Sequence, residues 1–193
     1  QIECYSKVDI PILLIGEYGV GKSSIAYEIY KRSNQKDRLF IKIDCEKITN
    51  ENVEQIFTLN NREFSGVNGA TLFLQDIHKF EFGVQKKVYQ FLSAIKFSSQ
   101  FRIISATTEN LETIANKGEF SKKLLKLVSE LQIFLPPLRE RKHDFPGIAS
   151  IIISEYNMKY GKQVAGFQHG AFEAVYQYSW PGNIEQLRRV LCE

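Results

Sequence analysis

An eight-residue segment near the start of the chain constrains the fold more than any other feature. Residues 16–23 read GEYGVGKS and match the pattern GxxxxGK[ST]. A short apolar run at residues 10–15 precedes the segment, and apolar residues with helical spacing follow from Ser23. In this context the glycines let the backbone curl, and its amides and the helix N-terminus can bind phosphate. The pattern therefore predicts a phosphate-binding loop, here called the P-loop segment, after a buried strand.

The residue types in the P-loop segment predict a role for each position. Lys22 is expected to neutralise charge on the β- and γ-phosphates, and Ser23 to ligate Mg²⁺. The candidate nucleotide-contacting residues of the segment are Gly16, Glu17, Tyr18, Gly19, Val20, Gly21, Lys22 and Ser23. A P-loop enzyme also needs a second strand that ends in an acid, which holds Mg²⁺ and orients the attacking water. Residues 71–76, TLFLQD, have that pattern, so Asp76 is the candidate catalytic residue and second magnesium ligand.

Apolar runs alternate with helical patterns along most of the chain. The predicted strands are residues 10–15, 39–43, 71–74, 101–106 and 131–135, and a helix is predicted over 84–95. This alternation is typical of a parallel sheet covered by helices on both faces. After two consecutive prolines the spacing becomes helical, and Asp144 is predicted to cap a helix that has Pro146 just inside it. We expect an α/β core at residues 1–137 and a small helical lid at residues 138–193.

Composition excludes several other classes of protein. The chain is 44% hydrophobic and 24% charged, and its net charge of +3 is too small to indicate a nucleic-acid surface. No apolar run approaches the roughly 18–20 residues that cross a bilayer. Cys4, Cys45 and Cys192 are widely spaced, and the three histidines lack ligand spacing, so we expect reduced thiols and no protein-only metal site. Together these features favour a cytoplasmic protein, and the missing initiator methionine suggests a piece of a longer one.

Five segments together resemble the AAA+ domain of bacterial enhancer-binding proteins, the ATPases that remodel RNA polymerase containing sigma-54. The segments are GEYGVGKSS (16–24), TLFLQDI (71–77), RIISATTENL (102–111), LPPLRER (135–141) and WPGNIEQL (180–187). They occur in the family's order across nearly the whole chain, and the last two are specific to that family. The resemblance implies a P-loop AAA+ core with a five-stranded parallel sheet, a C-terminal helical lid, and bound ATP or ADP with Mg²⁺. It also implies that DNA is contacted only through a domain outside this chain.

The chain departs from the family pattern where the family places its hydrolytic residues. The family's magnesium-binding aspartate falls on Gln75, and its water-polarising glutamate falls on Asp76, which is one methylene shorter. The family's strand-two asparagine falls on Asp44. Asp44 and Asp76 could form a two-carboxylate magnesium site, or one of them could be a buried acid that stays protonated. Activity as an ATPase is therefore implied by resemblance and questioned by these residues.

Further departures affect residues that the family uses across subunits and in its lid. The family's arginine fingers fall on Ser121 and Leu127, its lid arginine on Glu185 and its sensor asparagine on Thr108. Thr108 remains a candidate nucleotide contact, and Arg188, one helical turn after Glu185, is the candidate replacement for the lid arginine. Nearby Lys122, Lys123 and Lys126 are interpreted as solvated surface charges.

Two projections that touch the polymerase in this family are missing from the sequence. Residues 51–70 contain nothing like the GAFTGA loop, and the hairpin before the fourth strand is reduced to about residues 96–100. We therefore expect a nucleotide-responsive regulatory module with weak or absent hydrolysis, monomeric or dimeric rather than hexameric. The alternatives are an active ATPase with an altered catalytic set and a protein-interaction scaffold with a vestigial P-loop.

Overall fold

Five parallel strands form the sheet in the computed structural model, which describes residues 5–7, 9–57, 69–96 and 101–192. The strands are β1 (Ile12–Ile15), β2 (Leu39–Asp44), β3 (Ala70–Gln75), β4 (Phe101–Thr107) and β5 (Leu131–Phe134). Their order across the sheet is β2-β3-β4-β1-β5, and every pairing is parallel. The five-stranded parallel sheet predicted from the sequence is confirmed, with each strand within two residues of its predicted bounds.

Helices connect and cover these strands. In the described residues they are α1 (Lys22–Lys31), α2 (Val53–Ile56), α3 (Phe82–Lys96), α4 (Leu111–Asn116), α5 (Lys122–Val128), α6 (Phe145–Tyr160), α7 (His169–Gln177) and α8 (Asn183–Cys192). Short 3-10 turns occupy Cys45–Lys47, Ile77–Lys79, Leu138–Glu140 and Lys142–Asp144. No helix within these ranges is both long and apolar enough to cross a membrane.

Alternating side chains of the strands divide the core into two layers. Leu13, Leu72 and Ile103 pack in one buried cluster with α3, whereas their neighbours Phe73 and Ile104 pack in a second cluster with α1. Successive residues of a strand point to opposite faces of a sheet, so a strand covered on both faces must be apolar throughout. This requirement explains why the inner strands β1 and β3 are mostly apolar, whereas the edge strands β2 and β5 include Lys42 and Gln132.

The register of the sheet places several candidate residues at one edge. Ile15, the last residue of β1, pairs with Thr107 at the end of β4. Asp44, the last residue of β2, pairs with Gln75 at the end of β3. Parallel strands end at the same edge, so Asp76 and Thr108, which follow β3 and β4, leave the sheet where β1 ends.

The chain divides into two compact units. The core unit comprises residues 1–15 and 22–134, and the lid unit comprises residues 16–21 and 135–193. The sequence predicts a boundary after residue 137 but does not indicate that residues 16–21 belong with the C-terminal segment.

The lid unit has its own hydrophobic core. It consists of Leu138, Phe145, Ala149, Ile152, Trp180 and Leu187. Trp180 is 4% exposed and its ring nitrogen donates to the carbonyl oxygen of Val175 at 2.8 Å, so it packs inside the lid unit.

The start of α6 corrects one prediction about a helix cap. The helix begins at Phe145 with Pro146 in its first turn, as predicted, but the Asp144 carboxylate makes no capping hydrogen bond. Asp144 has helical dihedral angles (φ −79°, ψ −16°) because it ends the 3-10 turn that leads directly into α6. A side chain caps a helix when its own residue has an extended backbone, because it can then reach the first free amides of the helix. Asp144 has a helical backbone instead, so its carboxylate does not form the cap.

Candidate functional site

Side chains of the lid unit hold the beginning of the P-loop segment. The guanidinium of Arg139 donates to both carboxylate oxygens of Glu17, at 2.8 and 2.6 Å. The amide nitrogen of Asn183 donates to Glu17 at 3.1 Å and to the carbonyl oxygen of Tyr18 at 2.8 Å. The hydrogen bonds from Arg139, and then that from Asn183, lower the pKa of Glu17 to about 2. Glu17 is therefore ionised at neutral pH and anchors the segment.

The next two residues of the segment are held through their backbone. The amide of Ile184 donates to the carbonyl oxygen of Gly19 at 3.0 Å, and Arg141 donates to that of Val20 at 2.6 Å. Gly19 has φ 75°, and a Cβ there would lie only 2.3 Å from the carbonyl oxygen of Gly182. A residue with a side chain would clash and would be strained, so only glycine fits this approach. Every residue from 17 to 20 thus has a partner in the lid unit.

Asn183 joins three of the sequence motifs. Its side chain is fully buried, and its amide oxygen accepts a hydrogen bond from the backbone nitrogen of Leu138 at 2.8 Å. The side-chain amide of Asn183, which belongs to the WPGN motif, therefore binds both the LPPLRER motif and the P-loop segment. The two motifs are visible in the sequence, but the roles of Arg139, Arg141 and Asn183 are not predicted from it. Both motifs are specific to one family, and this specificity was the sequence signal that could have pointed to these three residues.

Lys22 and Ser23 begin helix α1 in the core unit. Lys22 is 9% exposed, and burial lowers the pKa of its ammonium group while the charge of Asp76 raises it. Ser23 is exposed, and the first turn of α1 contains no acidic residue. A helix N-terminus without acidic neighbours favours a bound anion. These features are consistent with the predicted phosphate contact.

The acid that follows β3 is held by its neighbour. Gln75 donates from its amide nitrogen to Asp76 Oδ2 at 3.3 Å, and Asp76 has left-handed dihedral angles (φ 55°, ψ 51°). Such a conformation is uncommon for residues other than glycine and concentrates at functional sites. The half-buried carboxylate of Asp76 is thus close to a neutral amide at the position where the family has a second acid.

Asp44 is engaged by its own turn. Its carboxylate accepts from the backbone nitrogen of Glu46 at 3.3 Å and lies 3.2 Å from the Lys47 ammonium. Burial, followed by the charges of Asp76 and Asp44, raises the pKa of the Cys45 thiol well above its usual value. Asp44 and Asp76 therefore both influence Cys45, and Asp44 also stabilises the turn after β2.

The described residues offer no metal cage of the protein's own. No group of three or more histidine, cysteine, aspartate or glutamate side chains in these ranges could hold a metal ion. Mg²⁺ in nucleotide sites usually keeps several waters and is bound by one or two carboxylates and the substrate phosphates. The Asp76 carboxylate and the exposed Ser23 hydroxyl fit a magnesium ion that arrives with a nucleotide.

His78 connects the segment after β3 with the end of β4. Its Nδ1 lies 3.2 Å from the Thr107 hydroxyl, and its Nε2 lies 3.2 Å from the Thr108 hydroxyl. Burial lowers the pKa of His78, the charges of Lys79 and Lys22 act in the same direction, and Asp76 and Glu109 oppose them. No role of His78 is predicted from the sequence, although its position two residues after Asp76 was a usable signal. The predicted nucleotide contact Thr108 is thus bonded to a side chain that sequence reasoning missed.

The positions of the family's arginine fingers have structural roles here. The Ser121 hydroxyl accepts from the backbone nitrogen of Leu124 at 3.4 Å and caps α5, while its own amide donates to Gln85 at 2.6 Å. Leu127 is 6% exposed and belongs to the core. The three neighbouring lysines are exposed, as solvated surface charges would be.

Glu185 and Arg188 of α8 are the two residues considered for the role of the family's lid arginine. The Glu185 side chain is exposed, whereas Arg188 forms an ion pair with Glu155 of α6. Contact of Arg188 with a nucleotide remains a prediction. A cleft of about 360 Å³ is lined by Tyr18, Pro181, Gly182, Glu185, Gln186 and Arg189.

Two sequence predictions concern residues that the structure does not describe. The segment without a GAFTGA loop includes residues 58–68, and the shortened hairpin includes residues 97–100, all outside the described ranges. Cys4 also lies outside them.

The chain matches two family models that together span most of its length. Residues 1–134 match the sigma-54 interaction domain, and residues 139–193 match the AAA+ ATPase lid domain. A similar curated protein is the alginate biosynthesis transcriptional regulatory protein AlgB of Pseudomonas aeruginosa, 31% identical over 204 residues, which are 95% of this chain and 45% of AlgB. The transcriptional regulatory protein XylR of Pseudomonas putida is 29% identical over 203 residues, 94% of this chain and 36% of XylR. The chain thus spans less than half the length of these relatives.

Solved structures share the fold. NtrX from Brucella abortus in complex with ADP superposes with a TM-score of 0.86 at 24% identity, covering 99% of this chain and 47% of NtrX. NtrX from Brucella abortus in complex with ATP superposes with a TM-score of 0.84 at 24% identity, covering 98% of this chain and 48% of NtrX. The AAA+ fold predicted from the sequence is confirmed. From the matched family models and their agreement with the P-loop, LPPLRER and WPGN motifs, the chain belongs to the sigma-54 interaction domain family.

Proposed function

We propose that this domain binds ATP or ADP, hydrolyses ATP slowly or not at all, and acts as a nucleotide-responsive module of a cytoplasmic transcription regulator. The observation that supports binding most directly is the intact P-loop segment, which the lid unit holds at residues 17–20. A fixed loop loses little entropy when a ligand binds, so its amides are prepared for phosphate. The complexes of NtrX with ADP and ATP support the same ligand class.

Slow hydrolysis is supported by the groups around the expected reaction centre. A bound Mg²⁺, held by Ser23 and Asp76, would supply charge stabilisation for the phosphates. Gln75 adds no negative charge, and Asp76 already accepts a hydrogen bond from it. Ser121 and Leu127 are occupied by helix capping and core packing, so neither can act as an arginine finger. A missing finger costs on the order of 10³–10⁵ in rate in other P-loop enzymes.

The proposed role is regulatory rather than mechanical. Without the two projections that engage the polymerase, the domain would report its nucleotide state to other parts of the regulator as a population shift between conformations. Any contact with DNA would come from a different domain, since the net charge here is only +3. We expect the regulator to act by recruitment or repression at ordinary promoters.

The test measures nucleotide binding and turnover on one purified sample. We expect ATP and ADP to bind with Kd values on the order of micromolar, about −8 kcal/mol. Lys22→Ala should abolish binding and leave the circular dichroism spectrum unchanged, whereas Lys117→Ala, which removes an exposed lysine of the same unit, should bind normally. If calorimetry detects no adenine nucleotide at about 1 mM, where ΔG would be about −4 kcal/mol, the scaffold interpretation replaces this one.

Turnover in the same sample distinguishes a slow enzyme from an active one. We expect phosphate release far below that of active relatives, and Gln75→Asp alone should barely raise it, because residues that act as a unit are not additive. Rapid phosphate release from the unmodified protein, lost in Asp76→Asn, would instead establish an active ATPase with an altered catalytic set.

A further inference from the structure

A cleft in the core unit carries more positive than negative charge. It lies beside helices α3 and α5 and has a volume of about 380 Å³. The polar residues that line this space, here called the basic cleft, are Tyr89, Ser93, Lys96, Lys123, Lys126 and Glu130. Three ammonium groups and one carboxylate thus share one space.

Helical spacing brings these side chains together. Tyr89, Ser93 and Lys96 follow one another in α3 at intervals of four and three residues, and Lys123 and Lys126 of α5 are three residues apart. Residues three and four apart are neighbours on one face of a helix. The lysines of α5 resemble isolated surface charges in the sequence, because only the fold places α3 beside them.

One of the three lysines is neutralised by a carboxylate of the described residues. Lys96 forms an ion pair with Glu130, and their side chains are 27% and 34% exposed. No carboxylate in the described ranges lies within ion-pair distance of Lys123 or Lys126. Like charges one turn apart on a helix repel each other, so these two ammonium groups favour a ligand with two negative charges.

The hydroxyl groups of the basic cleft are available to such a ligand. Neither Tyr89 nor Ser93 forms a side-chain hydrogen bond with a residue that the structure describes. Each hydroxyl can donate one hydrogen bond and each ammonium group three. A lysine is a compact point charge that binds phosphate, whereas the planar fork of an arginine matches a carboxylate. No arginine is among the described residues that line the cleft, which favours a phosphate group over the carboxylates of an acidic protein segment.

The two helices beside the basic cleft are fixed against each other. The side chain of Gln85 in α3 is 1% exposed and accepts from the backbone nitrogen of Ser121, just before α5, at 2.6 Å. The same side chain donates to the carbonyl oxygen of Glu119 at 3.1 Å. Leu92 of α3 and Leu124 of α5 are fully buried in one hydrophobic cluster. A preformed cleft loses little entropy when a ligand binds, so its charges are already in place.

We propose that the basic cleft is a second anion site, which binds a small molecule that carries a phosphate or diphosphate group. Lys123 and Lys126 bind the charge of this ligand, and the hydroxyls of Tyr89 and Ser93 donate to its oxygens. The cleft shares no residue with the P-loop segment, and the inference does not rest on the proposed nucleotide binding. A regulator with both sites would respond to a second ligand besides the adenine nucleotide.

The test titrates the protein with inorganic pyrophosphate in the Lys22→Ala background, so that binding at the P-loop segment does not mask the cleft. At low salt we expect a Kd below about 1 mM. Lys123→Gln and Lys126→Gln should each weaken binding by roughly tenfold, because a hydrogen bond to a charged group is lost. Lys122→Gln removes an equal charge from a lysine of α5 that does not line the cleft, and it should change the Kd by less than about twofold. Glu130→Gln removes the opposing charge and should tighten binding by roughly threefold.

Nitrogen-15 NMR locates the bound pyrophosphate, and circular dichroism with thermal unfolding checks that each variant is folded. We expect the amide signals of α3 and α5 to shift during the titration. No binding at about 10 mM pyrophosphate would overturn the inference. Equal weakening in Lys122→Gln and Lys126→Gln would also overturn it, because general surface charge would then explain the binding. A glutamate-rich peptide that binds more tightly than pyrophosphate and competes with it would replace the phosphate ligand with an acidic protein partner.

Discussion

At the scale of single residues, Glu17 shows how a surface carboxylate can have a structural role. It accepts three hydrogen bonds, two from Arg139 and one from Asn183, although its side chain is 44% exposed. A bidentate contact between a guanidinium and a carboxylate is among the stronger kinds of ion pair. The P-loop segment therefore depends on the charge of one residue that does not itself need to touch phosphate.

The charge of Glu17 predicts a specific pH dependence. Its pKa in the folded protein, about 2, is below the ordinary value of 4.5, so the ionised form stabilises the fold. This stabilisation is complete above about pH 4.5 and is lost as the pH falls toward 2. In Glu17→Gln, unfolding should depend less on pH within that window. The effect should be at most about 1 kcal/mol because solvent screens the pair.

Urea unfolding at a series of pH values measures this effect. Glu185→Gln is the matched control, since it removes an equal charge from an exposed residue of the same unit. If both variants flatten the pH profile equally, net charge rather than the Glu17–Arg139 pair is responsible.

At the scale of elements, the turn that begins α8 organises the lid unit. Asn183 has φ 52°, and this left-handed conformation aims its amide at the backbone of Leu138 and Tyr18 and at the carboxylate of Glu17. Asparagine tolerates this backbone conformation better than most residues with a Cβ. One residue at a helix start therefore links two segments that are distant in the chain.

The Asn183 network predicts a large loss of stability on mutation. Asn183→Ala removes three hydrogen bonds, leaves the buried Leu138 amide without its acceptor and strains the backbone, so we expect about 3 kcal/mol of destabilisation. Asn183→Gly avoids the strain and should cost about 2 kcal/mol. Fluorescence of Trp180, the single tryptophan of the chain and part of the lid-unit core, follows unfolding directly. A glycine variant as stable as the unmodified protein would show that the amide network contributes little.

At the scale of the whole molecule, the positions where the family has its arginine fingers hold other residues. An arginine finger can be supplied in cis or in trans, and this family is expected to donate its fingers across a subunit boundary. Ser121 caps α5 and Leu127 is in the core, so the matching positions offer nothing to a neighbouring copy. The sequence between residues 51 and 70 also lacks the loop that engages the sigma factor.

These absences predict a protein that neither forms a ring nor opens promoters. We expect light scattering to show monomers or dimers, with or without ATP, and no open complex with sigma-54 holoenzyme. Lys22→Ala should behave identically in both assays, since nucleotide is not expected to change assembly. A nucleotide-dependent hexamer, or open-complex formation driven by this protein, would contradict the prediction.

Local patterns in the sequence were sufficient to predict the elements and the class of site. Short apolar runs that alternate with helical patterns are typical of buried parallel strands, so the five strands, their parallel arrangement and the start of α1 followed from residue order alone. The GxxxxGKS pattern identified the P-loop segment because its chemistry lies within eight consecutive residues. The Asp144 cap was wrong because a preceding turn, invisible to spacing rules, set its backbone conformation.

The partners of the site residues were decided only by the tertiary structure. Glu17 and Asn183 are 166 residues apart in sequence, and Arg139 is 122 residues from Glu17. His78 reaches Thr107 and Thr108 across 29 and 30 residues. Such hydrogen bonds depend on where folded elements meet, and periodicity in one segment contains no information about a distant one. The sequence by itself determined that the chain has a P-loop segment, and the fold determined which side chains hold it.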